Sequence, residues 1–365
     1  MSGLSLQLST PAENGFSLDI DCQLPAVGVT AIYGPSGSGK TSLLNCIAGL
    51  KPAGDNSLIR FKGTTWQSSS EFMPAWERRI GFVFQDARLF PHLSVAQNLE
   101  FALKRRGNNN ETSFTEVVEW LQLGKLIARL PESLSAGQTQ RVAIGRALLS
   151  GPQMLLMDEP LANLDHVARE ECLFYLRRLR NALDLPIMYV SHDIEEVSQI
   201  ADHLVLLENG HIEAQGSLLE LCSALDTRLS HEEQAAAIVL GTIQSHDAQY
   251  GLSEITVAGE TLFVNQIEAA IGQQQRLRIP ARDVSLCKTR PQDSSILNIV
   301  PVEVSEIEET GGSRLLLRLA LGEQYLLARI TRKSAHALQL TEGDKLFAQI
   351  KSAALLSNSL AETTL

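Results

Sequence analysis

Apolar residues in roughly the first 215 positions follow two alternating patterns. Short apolar runs of the β type are separated by segments whose apolar residues have helical spacing. The runs are VGVTAIYG, IGFVFQ, MLLMDEP, PIMYVSH and HLVLLENG. Because strands separated by helices build parallel sheets, this pattern predicts an α/β fold with a largely parallel sheet.

The strand-like runs stop between Gln85 and Ser135. Segments in this interval, such as 114–129, carry apolar residues at helical spacing instead. The change predicts a helical subdomain inserted into the α/β fold, at about residues 86–150.

The pattern changes again near residue 208. Asn209-Gly210 separates two apolar runs and predicts a hairpin, and a polar, helix-compatible link follows to about residue 235. Short strands then dominate, and ITVAGETLFVNQI resembles LRLALGEQYLLARI further along. The resemblance predicts two copies of a small β-barrel, with coincidental β alternation as the alternative. The predicted domains are 1–230, 231–289 and 290–357.

Composition narrows the class of protein. A chain of 365 residues with 44% hydrophobic residues predicts two or three soluble globular domains. The net charge of −11 argues against a nucleic-acid partner. Five scattered cysteines without a Cys-x-x-Cys pair favour reduced thiols. No secretory signal and no apolar run of about 18 residues is visible, so we expect no membrane span.

The sequence GPSGSGKTS at 34–42 has the spacing of a phosphate-binding loop. Its glycines let consecutive amides turn inward around an anion, and the following helix adds its positive end. We expect Lys40 to reach the β- and γ-phosphates of a nucleotide and the Thr41 hydroxyl to bind Mg²⁺. The predicted nucleotide-binding residues of the loop are Gly34, Pro35, Ser36, Gly37, Ser38, Gly39, Lys40, Thr41 and Ser42.

Polar residues end three other apolar runs. Asp158 and Glu159 end MLLMDEP, Gln85 ends IGFVFQ and His192 ends PIMYVSH. Such strand ends carry the ligands of α/β sheets, so Asp158 and Gln85 are predicted to join Thr41 at Mg²⁺. Glu159 is predicted to orient or deprotonate a water aimed at the γ-phosphate, which His192 contacts. Taken singly, Gln85 and His192 are ordinary strand-end residues.

Taken together, these motifs resemble the ordered set of an ABC-transporter ATPase. The set adds LSAGQ at 134–138 and LANLD at 161–165, and LSAGQ precedes Asp158 by about twenty residues. The resemblance covers roughly residues 1–215. It implies a P-loop NTPase domain of the ABC ATPase type that uses ATP and Mg²⁺. It also implies catalytic roles for Glu159, His192 and Lys40.

In this family the LSGGQ-type turn serves the nucleotide of a second subunit, which implies a homodimer. Ser135, Gly137 and Gln138 are then predicted to bind the partner's nucleotide, and Asp165 is predicted to lie at the dimer seam. Ala136 stands where glycine is commoner. The family also stacks an aromatic residue on adenine, and only Phe16, which is equally suited to the core, lies near the expected window.

Family ATPases receive helices of membrane permease subunits beside the glutamine loop. Residues 86–95, DARLFPHLSV, suit that contact, with internal packing as the alternative. The implied location is the cytoplasmic face of the plasma (inner) membrane, as a peripheral subunit. An extracytoplasmic solute-binding protein is the implied indirect partner.

The last third of the chain resembles the all-β, OB-like Mop/TOBE domain attached to molybdate-importer ATPases. The likeness rests on SSILNIVPVEVSEIEE and AQIKSAAL. It implies oxyanion contacts by Ser295, Asn298, Lys351 and Ser352, although Leu297 stands where arginine is usual.

These resemblances predict the ATPase subunit of a molybdate importer. Importers of sulfate, tungstate, polyamine or sugar are the alternatives within the family. A soluble ABC ATPase that moves no solute and an oxyanion-storage or sensing protein are the alternatives from other classes.

Overall fold

The computed structural model describes residues 3–11, 15–105, 112–309, 312–351 and 354–355. The chain divides into two compact units, Met1–Gly216 and Ser217–Leu365. The boundary predicted at residue 230 falls inside the second unit, within a short helix.

A ten-stranded sheet forms the centre of the first unit, as far as it is described. Its strands are β1 (Leu4–Ser9), β2 (Asp19–Leu24), β3 (Val29–Tyr33), β4 (Leu58–Phe61), β5 (Thr64–Gln67), β6 (Ile80–Val83), β7 (Met154–Asp158), β8 (Ile187–Ser191), β9 (His203–Glu208) and β10 (His211–Ser217). Their order across the sheet is β5-β4-β1-β2-β10-β9-β3-β8-β7-β6. The central ladder from β9 to β6 is parallel, which confirms the predicted α/β class.

All five apolar runs chosen from the sequence are strands of this sheet. Every residue of β3, β7 and β8 is buried, as expected for parallel strands covered on both faces. The antiparallel strands β1, β2, β4 and β5 extend the sheet beyond the predicted part. Residues of β1 and β2 largely alternate between buried and more exposed, which is the pattern of strands with one covered face.

Six helices accompany the sheet in the described part of the first unit. They are α1 (Lys40–Ala48), α2 (Val95–Leu103), α3 (Phe114–Trp120), α4 (Ala136–Leu149), α5 (His166–Ala182) and α6 (Ile194–Ile200). Helices α2, α3 and α4 each begin with a capping box in which a serine side chain and a Gln or Glu three residues later satisfy each other's backbone amides. The predicted helical spacing over 114–129 yields a shorter helix, because α3 ends at Trp120.

The predicted hairpin at residue 209 is present between β9 and β10. Asn209 has φ 47° and Gly210 has φ 83°, the left-handed values that a tight two-residue hairpin turn requires. Asn and Gly adopt them at low cost, so the sequence signal and the backbone agree.

The second unit is mostly β-structure. Its helices are α7 (Leu218–Ser223), α8 (Arg228–His231) and α9 (Arg332–Leu338). Its strands are β11 (Ala236–Asp247), β12 (Leu252–Val257), β13 (Glu260–Asn265), β14 (Gln274–Pro280), β15 (Val284–Cys287), β16 (Asn298–Glu309), β17 (Arg314–Leu321), β18 (Gln324–Thr331), β19 (Lys345–Ile350) and β20 (Ala354–Leu355).

These strands form two five-stranded antiparallel sheets of matching design. One has the order β13-β12-β11-β14-β20 and the other β15-β19-β16-β17-β18. The long strands β11 and β16 carry a register shift at corresponding places, after Ile243 and Val304. The predicted internal repeat is therefore present.

The last strand of each repeat pairs with the sheet of the other repeat. Strand β15 follows β14 in the chain but pairs with β19, and β20 follows β19 but pairs with β14. One cluster of buried Val, Leu and Ile residues includes members of both repeats. The exchange makes the two repeats one folded unit, a feature that the sequence pattern did not predict.

Two further expectations concern the chain as a whole. None of the five cysteines, all of which are among the described residues, forms a disulfide in the structure. Among the described residues no helix has both the length and the apolar character needed to cross a membrane.

Candidate active site

The phosphate-binding loop joins the end of β3 to the start of α1. Gly39 caps α1 with φ 105°, and a Cβ there would lie 2.6 Å from atoms of both Phe16 and Leu18. A Cβ at Gly34 would lie 2.1 Å from the carbonyl oxygen of Leu207. The path of the loop therefore requires glycine at both positions. Phe16 is partly buried and packs against the core and this loop.

Lys40 lies across the loop that precedes it. Its side chain is 4% exposed, and Nζ donates to the carbonyl oxygens of Gly34 at 2.8 Å and Pro35 at 2.9 Å. The same ammonium lies 3.8 Å from Oε1 of Glu159. A buried cation is thus held among carbonyl groups at the place where the sequence predicts phosphates.

Ser38 supplies an unusual group inside the loop. Its side chain is 2% exposed, and Oγ has no hydrogen-bond partner among the described residues. A buried hydroxyl without a partner costs free energy unless a ligand satisfies it. The glycine-lined cradle and this free donor fit the phosphates of a nucleotide.

Thr41 and Asp158 meet at the end of β7. The Thr41 hydroxyl donates to Oδ1 of Asp158 at 3.0 Å, although the two residues are 117 positions apart. Burial raises the pKa of Asp158 above its ordinary value, and the Glu159 carboxylate raises it further. The Thr41 hydrogen bond acts in the opposite direction and is weaker than the effect of burial. Gln85 follows β6, the strand parallel to β7, and lies exposed at the same edge of the sheet. Hydroxyl, carboxylate and amide oxygens are the ligands that Mg²⁺ takes.

Glu159 and His192 form the second pair of the site. Nδ1 of His192 lies 3.2 Å from Oε2 of Glu159, and the imidazole is 53% exposed. Glu159 has φ 43°, a left-handed value that is uncommon for a residue with a long side chain. Its amide donates to the carbonyl oxygen of Val190 at 3.1 Å. Strain of this kind concentrates at functional sites, where it directs a side chain.

The LSAGQ motif forms the start of α4. Oγ of Ser135 accepts from the Gln138 amide at 3.2 Å, and Oε1 of Gln138 accepts from the Ser135 amide at 3.1 Å. Among the hydrogen bonds and ion pairs of the described residues, none links these two side chains to the phosphate loop. Gly137 is buried, and a Cβ there would lie 3.1 Å from Cβ of Ala168. Asp165 caps α5 by accepting from the Ala168 amide at 2.9 Å.

Two polar side chains, the partly buried Arg146 and the fully buried Asn98, hold the segment after Gln85, and the sequence patterns did not single them out. Arg146 on α4 donates to the carbonyl oxygens of Arg88 at 2.9 Å and Ala87 at 3.1 Å. The fully buried amide of Asn98 donates to the carbonyl of Phe90 and accepts from its amide. Neither residue belongs to a recognisable motif. The only sequence signal for their role was a polar residue on an otherwise apolar helix face.

Within the segment predicted to meet a permease, residues 86–95, Val95 is buried at the start of α2. Leu89 and Phe90 are partly exposed, and the Phe90 ring packs against Phe101 with centroids 4.5 Å apart. Internal packing therefore accounts for Val95, and the exposed parts of Leu89 and Phe90 remain for a contact.

Two of the predicted oxyanion residues, Asn298 and Lys351, lie at one end of a sheet in the second unit. Asn298 begins β16 opposite Ile350, so Lys351, which is exposed, follows on the neighbouring strand. Both atoms of the Asn298 amide are engaged, because Oδ1 accepts from the Phe263 amide at 2.7 Å and Nδ2 donates to its carbonyl at 2.9 Å. Ser295 is exposed, and Ser352 lies outside the described residues.

Comparison with known proteins finds a matching family for each of the two units. Residues 18–162 match the model of the family described as ABC transporter, and residues 294–356 match the TOBE domain. A molybdenum import ATP-binding protein of Hahella chejuensis is 47% identical over 93% of this chain and 96% of its own length. One from Pseudomonas aeruginosa is 45% identical over 98% of this chain and 100% of its own.

Solved structures resemble the ATPase part. A Clostridium perfringens protein described as part of the ABC transporter complex cbiONQ has a TM-score of 0.51 and 27% identity, covering 59% of this chain and 88% of its own. A nucleotide-free ATP-binding cassette from an ABC transporter has a TM-score of 0.51 and 25% identity, covering 60% of this chain and 92% of its own.

Proposed function

The chain belongs to the family of molybdenum import ATP-binding proteins of ABC transporters, and from this premise we propose that it hydrolyses ATP to power molybdate uptake through a separate membrane permease. The observation that carries the proposal is the extent of the likeness to the molybdenum import proteins. It runs through both units, whereas a shared ATPase cassette alone would be confined to the first. The ATPase unit supplies the motor, and the second unit separates this family from ATPases that lack it.

ATP binding follows from the geometry of the loop. The buried, unpartnered hydroxyl of Ser38 and the cradle at Gly34 and Gly39 suit the phosphate oxygens. Lys40 contributes its ammonium to the β- and γ-phosphates, where it neutralises charge that grows in the transition state.

Thr41, Asp158 and Gln85 fit Mg²⁺ as oxygen ligands. When bound, the cation neutralises phosphate charge and orients the γ-phosphate for attack. The hydrogen bond from Thr41 holds the Asp158 carboxylate beside the loop.

Hydrolysis requires one water attacking the γ-phosphorus in line with the bond to the bridging oxygen. The new phosphorus–oxygen bond forms as the bond to ADP breaks, and the water gives up a proton. We assign orientation of the water and acceptance of its proton to Glu159. His192, at 3.2 Å from that carboxylate, contacts the γ-phosphate.

A second copy of the chain completes the site in this proposal. The start of α4, with the exposed Ser135, the buried Gly137 and the half-buried Gln138, presents the positive end of a 14-residue helix. In a head-to-tail homodimer it faces the γ-phosphate held by the other copy, where no second lysine is needed. Asp165 lies at the seam between the copies.

The protein that uses the energy of ATP hydrolysis in this proposal is a membrane permease, which contacts the segment 86–95. The subunit then lies at the cytoplasmic face of the inner membrane as a peripheral protein. An extracytoplasmic molybdate-binding protein delivers the anion to the permease. The oxyanion contacts of the second unit are assigned to Ser295, Asn298, Lys351 and Ser352.

The test is the ATPase rate of the complex purified with its membrane subunits and binding protein, reconstituted in vesicles. We expect molybdate-loaded binding protein to stimulate turnover, and sulfate to have no effect. Stimulation by sulfate and not by molybdate would change the proposed transported anion to sulfate and leave the ATPase assignment unchanged. Turnover that never responds to a membrane subunit would overturn the transport function.

A further inference from the structure

His192 lies between two residues whose side chains are fully engaged. Ser191 Oγ accepts from the Asp193 amide at 3.0 Å and donates to Oε2 of Glu196 at 2.9 Å. Oδ1 of Asp193 caps α6 by accepting from the amides of Glu195 and Glu196. The backbone on both sides of His192 is therefore fixed by these hydrogen bonds.

Glu196 is a buried carboxylate at the centre of this arrangement. It is 5% exposed, and its Oε2 also accepts from the buried Tyr189 hydroxyl at 2.9 Å. Burial raises the pKa of Glu196, while the hydrogen bonds from Ser191 and Tyr189 lower it. A buried carboxylate needs such partners and a nearby cation to remain charged.

Arg169 supplies that cation from a different element. Its Nη1 lies 3.1 Å from Oδ2 of Asp193, and its Nε lies 3.4 Å from Oε1 of Glu196. Arg169, Glu196, His192 and Glu159 line one small cavity beside the hydrolytic pair. One guanidinium thus joins the residue that follows His192 to the buried carboxylate below it.

Arg169 lies in the first turn of α5, so its contacts with Asp193 and Glu196 link this helix to the segment that follows His192. Helix α5 is capped by Asp165, and the Arg169 amide donates to the Asp165 carbonyl at 2.9 Å in the first turn. The helix start and the backbone at His192 are therefore tied together through one side chain.

We propose that Arg169 is a positioning residue for hydrolysis, which holds His192 in place by binding Asp193 and Glu196. The inference rests on the proposed ATPase function. Without the guanidinium, two carboxylates face each other near Glu159 with no cation between them, and the backbone at His192 loses its link to α5. The phosphate loop does not depend on this link, so nucleotide binding is retained while turnover falls.

The experiment compares Arg169→Ala and Arg169→Lys with Arg178→Ala in the full chain. Arg178 lies on the same helix and, among the described residues, makes only a surface ion pair with Glu119 at 3.8 Å, so its variant controls for loss of an arginine from α5. We expect kcat to fall about 10-fold or more in Arg169→Ala, with the Kd for ATP within about 2-fold of wild type. Arg169→Lys recovers part of the rate, because one ammonium cannot contact both carboxylates in the way a guanidinium does.

A double-mutant cycle with His192→Ala, followed by single-turnover phosphate release, separates positioning from general structure. If Arg169 acts through His192, Arg169→Ala causes no further loss in the His192→Ala background. Three results would each overturn this inference and leave the proposed ATPase function standing. They are fold-losses in kcat that multiply in the double variant, an unchanged kcat in Arg169→Ala, and a matching loss of ATP affinity and melting temperature in Arg169→Ala. Wild-type turnover in His192→Ala would overturn the role assigned to His192, and the inference with it.

Discussion

The phosphate site of the first unit and the oxyanion candidates of the second differ in how their polar groups are used. In the first, Thr41 and Asp158 meet at 3.0 Å across 117 positions, and Ser38 keeps a buried hydroxyl without a partner in the described chain. In the second, the Asn298 amide uses its oxygen and one of its two N–H groups on the backbone of Phe263, so only the second N–H is left for an anion. A ligand site therefore shows itself by polar groups that the fold leaves available.

Sheet topology explains the difference. In a parallel sheet the carboxyl ends of neighbouring strands share one edge, so residues that follow β3, β6, β7 and β8 converge there. In the antiparallel sheets of the second unit, a strand start lies beside a strand end, as Asn298 lies opposite Ile350. A polar residue at such an edge is as well suited to joining strands as to binding a ligand.

The largest expected effect concerns the hydrolytic carboxylate. Glu159→Gln removes the proton acceptor while keeping the side-chain size, so we expect kcat to fall by at least about 100-fold with ATP binding retained. Phosphate release and equilibrium nucleotide binding measure the two quantities. Glu77→Gln, at an exposed carboxylate of the same unit, is the matched control. Undiminished hydrolysis in Glu159→Gln would remove the catalytic role from this site.

The second prediction tests the structural use of Asn298. Asn298→Ala leaves the amide and carbonyl of Phe263 without their partner, so we expect the free energy of unfolding to fall by about 2 kcal/mol. Denaturant unfolding of the full chain measures the loss, and faster hydrogen exchange at the Phe263 amide locates it.

Ser295→Ala, at an exposed position three residues earlier, is the control and is expected to change stability by less than about 0.5 kcal/mol. Should Asn298→Ala keep full stability and instead lose molybdate binding, Asn298 would be a ligand and the contrast between the two regions would disappear.

The third prediction asks whether the Thr41–Asp158 contact serves a cation. Thr41→Val keeps the shape of the side chain but removes the hydroxyl, so we expect the Mg²⁺ concentration for half-maximal ATPase activity to rise about 10-fold. Thr41→Ser retains the hydroxyl and serves as the control. An unchanged Mg²⁺ requirement in Thr41→Val would make this contact a structural one, like that of Asn298.

Much of the first unit could be predicted because its signals are local. The apolar runs that become β3, β6, β7, β8 and β9 are contiguous, and the loop residues 34–42 stand between a strand and a helix as their spacing requires. The placement of Asp158 and His192 at one edge of the sheet followed from their positions at the ends of predicted parallel strands. The antiparallel extension was missed because β1 and β4 pair across more than 50 positions, which no local pattern records.

The second unit was predicted less completely for the same reason. Its repeat was visible as similar segments, but the exchange of β15 and β20 between sheets depends on pairings that span the unit. The roles of Arg146 and Arg169 were also hidden, because a guanidinium that reaches distant backbone or carboxylate oxygens has no sequence signature. Buried polar networks become recognisable only when the distances are known.

The smallest expected effect sharpens the assignment of the second unit. Leu297 is 61% exposed beside Asn298, so Leu297→Arg is expected to change stability by less than about 0.5 kcal/mol. If the strand ends near Lys351 bind an oxyanion, the added guanidinium tightens binding by about 2- to 5-fold, the range of a solvent-exposed ion pair. Equilibrium dialysis of the full chain with labelled molybdate measures this change. Ile271→Arg, at a residue of the same unit that is 65% exposed, controls for the added charge alone. Equal tightening in both variants would mean that the charge acts without a site, and the polar groups at this sheet end would then serve the fold alone.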